Sequence, residues 1–111
     1  MIEVLQVSTT TDSRDAAMAL ANSAVEARLA AGAQVSGPLT SVYWHAGSLG
    51  SGEEWQVVLK TTREQYSALE AHLLDRHPWD NPEVSAVPLA AGSTRYLEWV
   101  HRTTAAAPDG A

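Results

Sequence analysis

The stretch LTSVYWHAGSLGSGEEWQVVLK, residues 39–60, decides the fold prediction. Its two ends, 39–45 and 54–60, are rich in β-branched and aromatic residues, and in the second of them apolar and other side chains alternate. Both features are typical of strands. The glycine and serine tract at 47–52 favours a flexible hairpin connection between them. We therefore predict an antiparallel hairpin in the middle of the chain.

Before the hairpin, the sequence predicts a strand and a helix. Residues 2–9 alternate loosely and are rich in β-branched side chains, which indicates a mostly buried strand. Helix-capping residues follow around Asp12, and an alanine-rich helix is expected to continue to Ala31. Gly32 then stops that helix, because glycine readily takes the left-handed conformation found at helix ends.

After the hairpin, a second helix and a fourth strand are expected. Thr62 and Gln65 have the spacing of a capping box, which opens the helix. Pro78 ends it, since a proline disfavours helical geometry in the preceding residue. The last strand covers 84–89, and Pro88 places it at a sheet edge or marks a bulge, because proline has no N–H to donate.

The predicted order is β-α-β-β-α-β, followed by a short amphipathic helix at 96–100. This order is the ferredoxin-like α+β arrangement, an antiparallel sheet with both main helices on one face. At 111 residues the chain fits one domain. We assign residues 1–102 to that domain and 103–111 to a flexible C-terminal tail, which has no core pattern.

A sheet with helices on one face leaves its other face uncovered. We expect Val42, Trp44 and either Trp55 or Val58 to form an apolar patch there. Strand 39–45 is expected at an edge, and long aromatic edges are normally paired or covered. These features predict a homo-oligomer in which strands pair between subunits.

Composition narrows the function. The chain has no cysteine, so it forms no disulfide framework, thiolate zinc site or cysteine nucleophile. Its formal net charge is -6 and Lys60 is its single lysine, which argues against sequence-independent nucleic-acid binding. We find no 18-residue apolar run and no signal-peptide pattern, so we expect no membrane partner and a cytoplasmic location. The aromatic residues are four Trp and three Tyr with no Phe, a set that suits interfaces.

No pattern of catalytic residues is recognisable, so the chain is predicted not to be an enzyme. Glu53 and Glu54 are adjacent in a strand and point to opposite faces. His72 and His77 are five residues apart, which on a helix separates their directions by about 140°. His72 is interpreted as a surface residue. His77 either closes its helix or faces a cleft as a ligand.

Several segments, in this order and spacing, resemble the CutA family of divalent-cation tolerance proteins. They are Leu29-Ala30-Ala31, Leu39-Thr40-Ser41-Val42-Tyr43-Trp44, Leu59-Lys60-Thr61-Thr62, His77-Pro78-Trp79, Pro82-Glu83 and Tyr96-Leu97-Glu98-Trp99. The resemblance implies a ferredoxin-like subunit in a tight trimer, related in shape to the PII signalling proteins. It also implies an association with copper and other divalent cations.

The sequence departs from this family at three positions. Family members often carry a cysteine where Gly32 stands here, and some carry one at the position of Thr9. Copper(I) prefers thiolate and thioether ligands, so its binding is expected to be weak here. Trp79 stands where the family has a tyrosine, and the phenol is lost.

The candidate site therefore rests on four residues. His77 and Glu54 are the candidate ligands of a weakly bound copper(II) or other divalent cation, and Trp79 and Lys60 are candidate ligand-binding residues in clefts between subunits. We predict a trimeric metal- or small-ligand-binding or signalling module. The alternatives are a small α+β barrel enzyme acting on an organic substrate and a trimeric scaffold without chemistry of its own.

Overall fold

The computed structural model describes residues 2–105, which form a four-stranded sheet and three helices. All strand pairs are antiparallel, in the order β2-β3-β1-β4. The ferredoxin-like α+β prediction is confirmed, and β2 and β4 are the edge strands, as expected for the aromatic strand and for Pro88. The elements are β1 Val4–Thr11, α1 Arg14–Glu26, β2 Gly32–His45, β3 Ser48–Thr62, α2 Arg63–Arg76, β4 Ser85–Pro88 and α3 Thr94–Ala105.

Helices α1 and α2 cover one face of the sheet and enclose the main core. The core residues of β1 and β3 alternate along their strands, and those of α1 include the small side chains Ala17, Ala21 and Ala24. Small residues let α1 lie close to the sheet, while Leu69 and Leu73 of α2 fill the remaining space. We call the opposite face of the sheet the open face.

Helix α3 lies on the open face, at one end. It buries Val100 against Val4 and Ala31, which form a second small core. Thr104 is also buried, and its hydroxyl donates to the carbonyl oxygen of Val100. The boundary predicted at residue 102 was too early, because α3 continues three residues further, to Ala105. The rest of the predicted tail, 106–111, lies outside the described residues.

The hairpin is longer than predicted, because the glycine and serine tract at 47–52 belongs mainly to strand β3 and not to a loop. The connection is only Ala46 and Gly47, which have φ angles of 50° and 81°. Two residues with positive φ match the twist of the flanking strands. Tyr43 compensates for the missing side chains of β3, since its ring lies over Gly50.

A β-bulge between Ser36 and Leu39 changes which side chains of β2 share a face. Before it, Val35 pairs with Val57, on the helix side; beyond it, the register is shifted by one residue. A shift of one residue exchanges the two faces of a strand. Val42 and Trp44 therefore lie on the helix side of the sheet, and the prediction that they lie on the open face was wrong.

Two local predictions at helix ends were also wrong. Helix α1 ends at Glu26, and the left-handed residue after it is Arg28, with a φ of 60°, not Gly32. At the start of α2, the side chain of Thr62 makes no capping hydrogen bond. Gln65 donates instead to the carbonyl oxygen of Thr104, at the end of α3. At the end of α1 the closure is local, since the N–H of Leu29 donates to the carbonyl oxygen of Ala24, whereas the contact of Gln65 with α3 replaces the predicted capping box.

Candidate functional site

His77 is buried at the end of α2, with both ring nitrogens hydrogen bonded. Nε2 donates to the carbonyl oxygen of Thr10 at 2.7 Å, and Nδ1 accepts from the backbone N–H of Trp79 at 3.0 Å. A carbonyl partner on one side and an N–H partner on the other fix the ring proton on Nε2. The imidazole then has no free lone pair for a metal. His77 joins α2, β1 and the loop after α2.

Trp79 lies beside His77, and the structure brings these two candidate residues together. The ring centroids are 5.2 Å apart and the rings are tilted by 48°. Trp79 is half-buried, so one part of the indole packs on the imidazole while another part stays accessible. The indole at this position thus packs directly on the buried imidazole.

Glu54 lies on the open face, away from His77. Its neighbour Trp55 packs against the core under the helices, and successive strand residues point to opposite faces. The carboxylate accepts a hydrogen bond of 2.6 Å from the hydroxyl of Ser41. The sequence predicted Glu54 at the start of its strand, near His77. The strand instead begins at Ser48, six residues before Glu54.

Lys60 also lies on the open face, toward the C-terminal end of β3. It is paired with Gln6 of β1 and Gly32 of β2. Six residues separate it from Glu54, which is about 20 Å along a strand. Trp99 of α3 lies over Gly32, with Cη2 3.7 Å from the place a Cβ would take. Within one chain, the four candidate residues therefore occupy three separate places.

The exposed apolar patch lies on the projecting hairpin and not on the open face. We call residues 39–54 the arm, because this part of β2 and β3 pairs only with itself. The exposed fractions of Trp44, Val42 and Leu49 are 74%, 69% and 64%. The sequence predicted exposure of the first two. It missed Leu49, because a loop was expected there.

The open face itself is mostly polar near the middle of the sheet. Strand alternation from the buried residues Val7 and Val57 assigns the intervening positions to this face. They include Gln6, Ser8, Thr10, Gln56 and Lys60. The predicted location of the apolar patch was therefore wrong. In this part of the open face, Val58 is the main apolar residue.

One further polar contact was missed by the sequence analysis. His72 of α2 lies 2.9 Å from the hydroxyl of Ser23 of α1, through Nε2. Burial lowers the pKa of His72, the nearby Arg76 lowers it further, and Asp75 acts in the opposite direction. His72 was interpreted as a surface residue, and no signal in the sequence points to its partner 49 positions away.

Comparison with known proteins settles the family. The family model described as "CutA1 divalent ion tolerance protein" matches residues 5–103. This chain belongs to the CutA family. A solved structure of the divalent cation tolerance protein CutA1 from Thermus thermophilus has a TM-score of 0.86 and 34% identity, and the match covers 93% of this chain and 98% of that one. A solved structure of CutA1 from Oryza sativa has a TM-score of 0.88 and 31% identity, and the match covers 92% of this chain and 94% of that one.

Curated relatives of this CutA-family chain carry similar names. The chloroplastic protein CutA of Arabidopsis thaliana is 37% identical over 95 residues, which are 86% of this chain and 52% of the relative. The divalent-cation tolerance protein CutA of Thermus thermophilus is 34% identical over 95 residues, 86% of this chain and 92% of the relative. The chain thus spans about half the length of the plant relative and nearly all of the bacterial one. The bacterial name states a role in divalent-cation tolerance, and neither name states an enzymatic activity.

Within residues 2–105 of one subunit, the candidate donors do not come together around a divalent cation. His77 has no free lone pair, and the carboxylate of Glu54 is bound to Ser41 on the opposite face. Between residues 2 and 105, no three His, Asp or Glu side chains come together in a way that could hold a metal ion. Over the same residues, no helix is long and apolar enough to cross a membrane.

Proposed function

We propose that this CutA-family protein acts in divalent-cation tolerance as a homotrimeric binding module without enzymatic activity. The observation that carries the proposal is the exposed apolar arm, on a chain that matches the family over residues 5–103. The arm supports the assembly, and the family supports the tolerance role.

The shape of the chain supports assembly. The Cα radius of gyration is 14.7 Å and the longest extent is 46 Å. A compact chain of this length has a radius of gyration of about 13 Å, and the projecting arm accounts for the excess. A two-stranded ribbon is marginal in water without further packing. Contact with another subunit gives the arm that packing.

The two free sheet edges favour a ring. Strand β2 has an unpaired edge at one side of the sheet, and β4 has one at the other. If the arm of one subunit packs on a different surface of the next subunit, the contact is head-to-tail. Such contacts form a closed ring when the rotation between successive subunits brings the last subunit back to the first. Three copies are the ring that the family resemblance implies.

Sedimentation equilibrium tests this assembly. We expect a mass three times the 11.8 kDa of one chain. The double substitution Val42→Ser with Trp44→Ser removes the most exposed apolar groups of the arm and should yield monomers. Leu74→Ser is the matched control, because Leu74 is an exposed leucine on α2. A stable monomeric wild type would contradict the proposal, and so would an arm variant that remains trimeric.

For the cation, we propose weak binding of copper(II) or another divalent ion by donors from different subunits. The arrangement within one chain supports this placement, since its own candidate ligands lie apart. Isothermal titration with copper(II) should give the same weak binding for the wild type and for His77→Gln, which retains a hydrogen-bond donor toward Thr10. Glu54→Gln should weaken binding in the trimer. If His77→Gln alone abolishes binding, His77 is a ligand and this proposal is wrong.

We propose a cytoplasmic location, consistent with a cysteine-free chain that needs no oxidising compartment. Location varies within the family, because two plant relatives are named chloroplastic. Cell fractionation of the native host, followed by immunoblotting, tests the location. Recovery of the protein outside the cytoplasmic fraction would contradict it.

A further inference from the structure

We draw no further inference here: the strongest candidate, the apolar groove that Ile2, Leu89 and Leu97 line between α3 and the segment after β4, carries none, because nothing in the structure shows what covers it.

Discussion

At the scale of single residues, two buried threonines on neighbouring strands differ in one respect. The hydroxyl of Thr61 donates to the carbonyl oxygen of Leu29 at 2.6 Å, whereas the hydroxyl of Thr9 has no partner among the described residues. Both side chains are fully buried. A buried hydroxyl without a partner lowers stability by about 1–3 kcal/mol.

Replacement of each threonine by valine should therefore have opposite effects. Thr9→Val keeps the shape and removes an unpaired group, so we expect the free energy of unfolding to rise by about 1 kcal/mol. Thr61→Val leaves the carbonyl of Leu29 unpaired and should lower it by about 1–2 kcal/mol. Urea denaturation at one fixed protein concentration measures both. A loss of stability in Thr9→Val would show that its hydroxyl has a partner, such as a buried water.

At the scale of elements, the hairpin turn carries an avoidable cost. Ala46 has a φ of 50°, a conformation that is unfavourable for alanine by about 1 kcal/mol and that asparagine tolerates. Gly47 has a φ of 81° and nothing within 4 Å of where a Cβ would lie. Any effect of a small side chain at position 47 is therefore conformational and not steric.

The turn predicts a pair of variants with opposite signs. Ala46→Asn should raise the free energy of unfolding by a few tenths to about 1 kcal/mol, and Gly47→Ala should lower it by about 1 kcal/mol. Both are read from urea denaturation, with circular dichroism to confirm an unchanged fold. If Gly47→Ala is neutral, the turn does not have the two left-handed residues described above.

At the scale of the whole molecule, stability should depend on pH through His72. Burial, followed by the charge of Arg76, lowers the pKa of His72 below its ordinary value of 6.5, so the folded chain takes up this proton less readily than the unfolded chain. The contribution of His72 is therefore complete above about pH 6.5 and is lost as the pH falls through that value toward the folded pKa.

This linkage can be measured with one variant. The midpoint temperature of thermal unfolding of the wild type should decrease when the pH is lowered from about 7 to about 5. In His72→Gln the decrease should be smaller, because glutamine does not titrate. His101→Gln is the control, because His101 lies on α3 and takes no part in the contact between α1 and α2. Identical pH profiles for the wild type and His72→Gln would contradict the assignment.

Much of the fold followed from the sequence alone because its signals are local. Alternation in 54–60 predicted a strand, the proline at 88 predicted an edge strand, and the spacing of Leu69 and Leu73 predicted a helix, and the structure confirms all three. The resemblance to the CutA family needed only segments in order, and the match over residues 5–103 confirms it.

The tertiary structure decided what depends on register and distant contacts. The bulge after Ser36 exchanged the faces of β2 and placed Trp44 on the helix side, which strand alternation without the bulge could not predict. The Nε2 atom of His77 hydrogen bonds to the carbonyl oxygen of Thr10, which is 67 residues away in the chain. This contact occupies a ring nitrogen that a metal site would need. The periodicity of a sequence predicts local helices and strands. Hydrogen bonds between residues far apart in the chain form only when these elements pack, so the sequence pattern does not predict them.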